Sequence, residues 1–461
     1  MNEPISSEDS ELIDKLRDTL GNQLNTDFGN HDFNLLRWIV NARQQTKCEK
    51  KVFEIALRGL RAHCEYRRAW QLDSGQVPDW NDNPIYQNRI IPKGALGGID
   101  QSNRIVWYID YASTDVFGIS RHFGDSQMFR WTIWQFEHML RCVVAQERST
   151  GRRSAIHQVA DIGNVVMNPF SSSFVADGKL AYLTKFIHYE MYPMLVDPLD
   201  FINCPRWADW ANRLMRIALA GPVINRVFTY GSDYFEVLLR SIDRAVIPTF
   251  LGGTAENSCE LETVPARKFK NISAYEFEYG ALKASDCARV PRRQTSDDSL
   301  NSFDRIKPSL DNPSNSRLKL TVKSGRLLAI KLAPVTTHAS FRWTFHSDGD
   351  VRFGVFRQRE HLNLDQVGKR LSGANYEIYD LASTFSANLN TKSLTMLNEF
   401  EDNYMLFGDM IVPFVRLTAR FVPVQGSLNS DSVNGAVCWM VFCNCHGWWS
   451  RKHIELNLWY E

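Results

Sequence analysis

Long hydrophobic runs and an excess of charge of either sign are both missing from this sequence. It contains no uninterrupted run of about 18 apolar residues, the length that a helix needs to cross a bilayer. Its 53 Lys and Arg residues balance 52 Asp and Glu residues, for a formal net charge of +1. We therefore expect neither a membrane-spanning protein nor a nucleic-acid binder that works by bulk phosphate neutralisation.

A secretory signal and a disulfide framework are missing as well. Residues 1–14 (MNEPISSEDSELID) are acidic, whereas a signal peptide begins with a basic segment and continues with an apolar one. The nine cysteines are odd in number and scattered along the chain, which is not the spacing of a disulfide-rich domain. We therefore expect a cytoplasmic protein whose cysteines are reduced thiols.

The usual catalytic and metal-binding motifs are also absent. The sequence has no G-x-S-x-G elbow, no phosphate-binding loop and no H-E-x-x-H pair. The most metal-like group, Cys438, Cys443, Cys445 and His446, matches no common zinc spacing, and we favour a core or edge role for it. We interpret the histidines of the middle region, such as His157, as ordinary hydrogen-bonded side chains. The sequence therefore predicts no enzyme, no metal and no cofactor.

The chain is long enough for about three domains at 461 residues. Residues 1–79 show the apolar spacing of helices and predict a small α-helical module. Residues 80–256 alternate strand-like runs with long helical stretches, which predicts an α/β domain with a mainly parallel sheet. Residues 257–461 hold short strand-like runs separated by turns, which predicts an antiparallel β-sandwich. Its segment at about residues 288–316, rich in Ser, Asp, Asn and Pro, is predicted to be a flexible insertion.

One predicted helix, at residues 206–219, has a distinctive apolar face. Trp207, Trp210, Leu214 and Ile217 recur at helical spacing, and arginines lie off that stripe. Such a helix either covers an apolar cavity or a lipid interface, or it packs on the core as an ordinary surface helix. Periodicity alone favours ordinary packing.

Four sequence motifs, one of them a pair of segments, resemble the CRAL-TRIO lipid-binding family. Residues 156–163 (IHQVADIG) look like its central strand and the turn that follows, and residues 189–193 (YEMYP) with 201–205 (FINCP) look like its Tyr-Pro-Glu and Ile-Asn-Ala-Pro pair. Residues 247–254 (IPTFLGGT) are similar to its closing Gly-Gly-Thr motif. Upstream, residues 35–43 (LLRWIVNAR) resemble the first module of the family.

The last third of the chain resembles the Golgi-dynamics (GOLD) β-sandwich. Residues 341–345 (FRWTF) and 348–355 (DGDVRFGV) look like its first conserved strands, and residues 448–452 (WWSRK) look like its final hairpin. The Asp-Asn that usually precedes that hairpin is replaced by Cys443 and Asn444. The tandem arrangement is similar to that of supernatant protein factor and the tocopherol-associated proteins.

The resemblance implies a site as well as a fold. CRAL-TRIO proteins hold a lipid between the sheet and a movable helical lid, and residues 206–219 correspond to that lid by position. We therefore expect Trp210, Leu214 and Ile217 of the lid to face lipid. The other expected lipid-binding residues are Tyr108, Phe117, Ile156, Gln158, Leu183, Ile187 and Phe201.

Two departures from the family pattern bear on the lipid head group. Members that exchange phosphatidylcholine and phosphatidylinositol carry small hydroxyl residues in the turn after the central strand, where this chain has residues 165–168 (VVMN). They also carry a lysine where this chain has Glu236, and a carboxylate repels an inositol phosphate by about 1 kcal/mol at a solvated site. We therefore favour a tocopherol, an isoprenoid or another phospholipid over phosphatidylinositol.

The sequence thus predicts a cytoplasmic lipid-binding and lipid-transfer protein that touches membranes transiently. A bound hydrophobic lipid is the only ligand expected. The alternative is an interaction protein, in which the GOLD domain docks a protein partner of membrane traffic and the bound lipid serves only as a signal.

Overall fold

The structure is a computed structural model of the 461-residue chain. The residues that it describes are 4–111, 114–115, 118–119, 122–163, 179–205, 225–255, 315–332, 340–359, 375–380, 407–420, 422–429, 436–444 and 450–460. The predicted insertion at residues 288–316 lies outside these ranges, except for its last two residues, which begin a strand.

The chain divides into two compact units. The first consists of residues 1–67, 71–119 and 130–272, and the second of residues 68–70, 120–129 and 273–461. The predicted helical module and the predicted α/β domain belong mainly to the first unit, and the predicted β-sandwich to the second. The boundaries at residues 79 and 256 stay predictions.

Three helices open the first unit: α1 (Ser7–Leu20), α2 (Asp32–Gln45) and α3 (Glu49–Ala69). The Ser6 hydroxyl caps α1 by accepting a hydrogen bond from the Asp9 N–H at 3.1 Å. The helix ends at Gly21, whose φ of 50° favours glycine. The helical module is therefore confirmed.

A five-stranded sheet follows, in the spatial order β1 to β5. Its strands are β1 (Ala95–Ile99), β2 (Ile105–Asp110), β3 (Ile156–Asp161), β4 (Val196–Ile202) and β5 (Val227–Thr229). Only β1 pairs antiparallel with its neighbour, and the other neighbours within this described sheet are parallel. The mainly parallel sheet predicted from the alternation of strands and helices is confirmed.

Within the described ranges, four α-helices and a π-helix accompany the sheet. They are α4 (Pro84–Gln87), α5 (Asp125–Thr150), α6 (Lys179–Lys185), the π-helix Phe186–Met191 that continues α6, and α7 (Tyr234–Leu238). Of these, α5 and α6 belong to the connections that join parallel neighbours of the sheet.

The sheet presents two different faces. Alternate residues of a strand point to opposite faces, and neighbours in register share one. Because Gln158 pairs with Trp107 on one side and with Leu199 on the other, these three side chains lie on one face. The Gln158 face, as we name it, includes on β2 to β4 the residues Ile105, Trp107, Ile109, Ile156, Gln158, Ala160, Leu199 and Phe201. The opposite His157 face consists of Val106, Tyr108, His157, Val159, Asp200 and Ile202.

An apolar core covers part of the His157 face. Its buried members are Ala95, Val106, Tyr108, Val159, Ile202, Leu238, Ile242, Ile247 and Leu251. Burying each of the larger side chains stabilises the fold by about 1.5–3 kcal/mol. This core fixes α7 and the turn after it on the His157 face.

The described residues of the second unit form nine strands. They are β6 (Asn315–Val322), β7 (Arg326–Leu332), β8 (Ser340–Ser347), β9 (Asp350–Arg357), β10 (Asn375–Asp380), β11 (Asp409–Thr418), β12 (Val424–Asn429), β13 (Cys438–Cys443) and β14 (Lys452–Tyr460). One sheet has the order β10-β7-β13-β9-β11 and the other the order β12-β8-β14-β6.

Aromatic side chains join these two sheets. Phe345 of β8 contacts Phe353 of β9 at 4.8 Å and Phe442 of β13 at 5.1 Å between ring centroids. The predicted β-sandwich is thus confirmed. One pairing departs from the predicted antiparallel pattern, because β10 runs parallel to β7.

Candidate functional site

The carboxyl ends of β3 and β4 carry a polar cluster. Asp161, the last residue of β3, accepts hydrogen bonds from the Gly163 N–H and from Asn203 Nδ2, both at 2.8 Å. Asn203 follows β4 with a φ of 53°, a conformation that Asn tolerates better than most residues. Ligands of open α/β sheets bind beyond the carboxyl ends of the strands, so this edge is where a site is expected.

A neutral polar pair lies on the Gln158 face. Gln158 on the central strand is 3% exposed, and its Nε2 donates a hydrogen bond to the Tyr111 hydroxyl at 3.2 Å. Tyr111 follows β2, the strand next to β3. Burial raises the pKa of Tyr111 to about 12, although the hydrogen bond from Gln158 opposes the rise. The pair is therefore uncharged at neutral pH.

A second neutral pair is found nearby. Gln135 of α5 donates a hydrogen bond to the Tyr86 hydroxyl at 2.6 Å. Burial raises the pKa of Tyr86 well above its usual value, and Tyr111 adds to the rise, which places the two phenols near each other. The polar groups of these two pairs are thus uncharged amides and phenols, and the indole of Trp107 on the same face adds a buried Nε1 that has no hydrogen-bond partner among the described residues.

The structure brings together some of the predicted lipid-binding residues. Ile156, Gln158 and Phe201 share the Gln158 face, as strand alternation requires. Ile187 is buried in the π-helix, and Leu183 is half-buried in α6. Lipid contact by these five residues stays a prediction.

Tyr108 is not brought together with them. It pairs with Val159 and belongs to the buried core on the His157 face, so the sheet separates it from Gln158. The physical reason is the two-residue period of a strand, which sends Tyr108 and its neighbour Trp107 to opposite sides. The other predicted lipid-binding residues, Phe117, Trp210, Leu214 and Ile217, lie outside the described residues.

Glu236 does not lie on the Gln158 face either. It is exposed on α7, whose Leu238 packs in the core of the His157 face. The sheet therefore separates Glu236 from Gln158. The preference against phosphatidylinositol stays a prediction.

The His157 face holds a buried charged group instead. His157 Nδ1 lies 3.0 Å from Asp100 Oδ2, and its Nε2 lies 3.0 Å from Asp200 Oδ2. Burial disfavours the imidazolium, but the hydrogen bonds to Asp100 and Asp200 outweigh it and raise the pKa of His157. Arg104 Nε also donates to Asp100 Oδ2 at 2.6 Å. These charges balance one another, which is typical of a structural network rather than a binding site.

Two more buried ion pairs join the helical module to α5. Arg37 Nη2 lies 2.6 Å from Glu147 Oε1, and Arg67 Nη1 lies 2.7 Å from Glu137 Oε1. Glu137 also accepts a hydrogen bond from the Tyr192 hydroxyl at 2.9 Å. These contacts give Arg37 of the LLRWIVNAR motif and Tyr192 of the YEMYP motif structural roles.

A cleft of about 480 Å³ lies elsewhere in the first unit. Phe28, Arg67, Asp73, Glu137 and Arg141 are among its lining residues, none of which belongs to the sheet. Charged side chains of both signs make it a poor fit for an apolar ligand. The cleft therefore lacks the apolar lining that is expected of a lipid site.

Sequence reasoning did not find Tyr111 or Asp100. Each bonds a residue of β3 that is distant in sequence, by 47 positions for Tyr111 and 57 for Asp100. The prediction that His157 is an ordinary hydrogen-bonded histidine is confirmed, although its two carboxylate partners could not be named. Alternation along β3 alone could have separated His157 from Gln158.

Membrane-spanning helices, metal-binding groups and disulfides can be assessed only for the described part of the chain. Among the described helices, none is long and apolar enough to cross a membrane. Within the same residues no group of three or more His, Cys, Asp and Glu side chains could hold a metal ion. Cys438 and Cys443 are buried and form no disulfide with a described residue, whereas Cys445 and His446 lie outside the described ranges.

Comparison with known proteins identifies parts of the first unit. Residues 5–75 match the model of a domain of unknown function (DUF8435), and residues 93–253 match the model of the CRAL/TRIO domain. The crystal structure of Sfh5 is similar to 57% of this chain and 94% of its own, with 13% sequence identity and a TM-score of 0.40. A likeness at that level adds nothing to the assignment. Residues 93–253 of this chain, which contain the five-stranded sheet and both of its faces, are a CRAL/TRIO domain.

Proposed function

We propose that this protein binds a lipid monomer in its CRAL/TRIO domain and transfers it between membranes. The observation that carries the proposal is the CRAL/TRIO match over residues 93–253, the region that forms the five-stranded sheet. Lipid binding in general follows from that domain. The Gln158 face is the side of the sheet that supports it, because apolar side chains of the sheet share that face with Gln158, whose pair with Tyr111 is uncharged.

Energetics explain why such a carrier needs an enclosed site. Exposing one methylene group to water costs about 0.8 kcal/mol. Moving a diacyl lipid with roughly thirty methylenes from a membrane into water therefore costs more than about 20 kcal/mol. A carrier must cover nearly all of that surface. In this proposal residues 206–219 form the movable lid, and Trp210, Leu214 and Ile217 contact the lipid chains.

The proposal also covers location and partners. The protein works in the cytoplasm, visits membranes transiently and needs only its lipid as a ligand. Binding and transfer, rather than catalysis, are its activity. In this proposal the second unit is a GOLD domain that docks a protein partner. The near-zero net charge of +1 supports transient contact, since a strongly basic surface would hold the protein on anionic membranes.

Transfer between vesicles tests the proposal directly. Donor vesicles carry labelled phosphatidylcholine, phosphatidylinositol, α-tocopherol, squalene or dioleoylglycerol, and unlabelled acceptor vesicles are separated after incubation with the full-length protein. We expect transfer of at least one lipid in proportion to protein concentration. The proposal is abandoned if the protein moves none of the five above the rate without protein.

A further inference from the structure

The Gln158–Tyr111 pair has unused hydrogen-bonding capacity. Gln158 Nε2 donates to the Tyr111 hydroxyl at 3.2 Å, which leaves Gln158 Oε1 as an acceptor and both the phenolic O–H and the second amide N–H as donors. None of these three groups has a hydrogen-bond partner within the described part of the chain. Gln158 is 3% exposed, and a group so deeply buried normally finds partners for its polar atoms.

The orientation of the amide does not change this capacity. If the Gln158 amide is rotated by 180°, its Oε1 accepts from the Tyr111 O–H, and the spare groups become the two amide N–H donors and the phenolic oxygen. In both orientations the pair offers at least one free donor and at least one free acceptor. A single hydroxyl group, which donates once and accepts, complements both.

The pair is also uncharged, and so are its polar neighbours Tyr86 and Gln135. Among these described groups none offers a positive charge to a phosphate, and burying an unpaired charge costs several kcal/mol. An ester or ether oxygen could accept from the pair but could not donate to it. An alcohol can accept from a free donor of the pair and donate to its free acceptor at the same time.

We propose that Gln158 and Tyr111 together bind one hydroxyl group of the ligand, so that the protein selects an uncharged lipid alcohol over phospholipids. This inference rests on the proposed lipid-binding function and names the ligand class for the same site. A lipid without the hydroxyl leaves both polar groups unpaired in a buried place, which typically reduces binding by a factor of ten or more.

The experiment compares three lipids that differ only at one position. Full-length protein is incubated with vesicles that contain equal amounts of 1,2-dioleoylglycerol, its 3-O-methyl ether and its 3-phosphate, and the lipids that it retains are quantified by mass spectrometry. We expect the protein to retain dioleoylglycerol at least about tenfold more than either other lipid. Because the three lipids compete in one sample, the ratio does not depend on the folded fraction.

Variants assign the preference to the pair. Gln158→Leu and Tyr111→Phe should each reduce the preference for dioleoylglycerol by about tenfold, whereas Gln101→Leu, at an exposed glutamine, should leave it unchanged. Equal retention of the three lipids by the wild type, or an unchanged preference in both pair variants, overturns the inference. Retention of none of the three overturns it as well. Vesicle transfer of another lipid would then leave the proposed function standing.

Discussion

The His157 face and the Gln158 face use neighbouring residues of one strand in opposite ways. On the His157 face, Asp100 and Asp200 enclose a buried histidine, and an apolar core packs beside them. On the Gln158 face, the buried amide of Gln158 donates a hydrogen bond to the Tyr111 hydroxyl, and the pair still has a free donor and a free acceptor.

The difference separates stability from recognition. Charges that bind one another leave little to offer a ligand, although Asp200 Oδ1 has no hydrogen-bond partner among the described residues, and removing one of these charges destabilises the fold. A neutral pair with a spare donor and a spare acceptor contributes little to stability but can bind a polar group. The comparison therefore predicts opposite phenotypes for substitutions at adjacent positions of β3.

The largest expected effect is on the stability of a His157→Leu variant. The substitution leaves the buried Asp200 carboxylate without its histidine partner and should lower the free energy of unfolding by about 3–5 kcal/mol. Gln158→Leu removes one neutral hydrogen bond and should cost only about 1 kcal/mol. Urea unfolding of both variants measures the difference, and equal losses would show that the two faces do not differ in this way.

The second-largest expected effect is the loss of lipid binding when a charge is introduced on the Gln158 face. We expect Phe201→Glu to lower uptake of labelled lipid from vesicles by about tenfold, or about 1.4 kcal/mol, because the carboxylate lies where apolar chains would pack. Phe228→Glu is the matched control, since Phe228 is 44% exposed and lies in register with Asp200 of the other face. Similar losses in the two variants would argue against the Gln158 face as the site.

The pH dependence of stability should reveal the His157 network. Because the hydrogen bonds to Asp100 and Asp200 raise the pKa of His157, the folded state holds a proton that the unfolded state releases near pH 6.5. The stabilisation is complete below that pH and is lost as the pH rises through the folded-state pKa. The loss amounts to about 1.4 kcal/mol for each pH unit that separates the folded-state pKa from the unfolded-state pKa.

Urea unfolding between about pH 6 and 8.5 measures this loss, and a His157→Gln variant is the control. The free energy of unfolding of the His157→Gln variant should be lower than that of the wild type over this whole pH range. It should also fall less as the pH rises. Parallel profiles would mean that His157 is neutral in the folded protein.

The smallest expected effect compares two tyrosines. The Tyr108 hydroxyl is buried on the His157 face and has no hydrogen-bond partner among the described residues, so Tyr108→Phe should change the free energy of unfolding by less than about 0.5 kcal/mol or stabilise the protein. Tyr111→Phe removes the acceptor of Gln158 Nε2 and should cost about 1 kcal/mol. A larger loss for Tyr108→Phe, measured by urea unfolding, would contradict this assignment.

Much of the fold could be predicted from the sequence. The runs that became β2 and β3 alternate with long helical stretches, and this alternation alone predicts a mainly parallel sheet. The motif residues also proved informative, since Arg37 and Tyr192 anchor buried contacts. The resemblance to GOLD domains in the last third stays a prediction, although two sheets packed through Phe345 and Phe353 agree with a β-sandwich.

The site was less predictable because it depends on register. Alternation shows that Ile156 and Gln158 share a face, but it does not show which residues of β2 join them, and Tyr108 was therefore grouped with them. The contact of Gln158 with Tyr111, and those of Asp100 and Asp200 with His157, join residues more than 40 positions apart. Local patterns carry no information about such pairs.

The lipid content of the purified protein tests the central claim most directly. Full-length protein is isolated without detergent and extracted with organic solvent, and the lipids are identified and counted by mass spectrometry against the protein concentration. Our account predicts about one lipid molecule per chain, enriched in uncharged species that carry a hydroxyl group. A protein that carries no lipid and also takes up none from vesicles would contradict it.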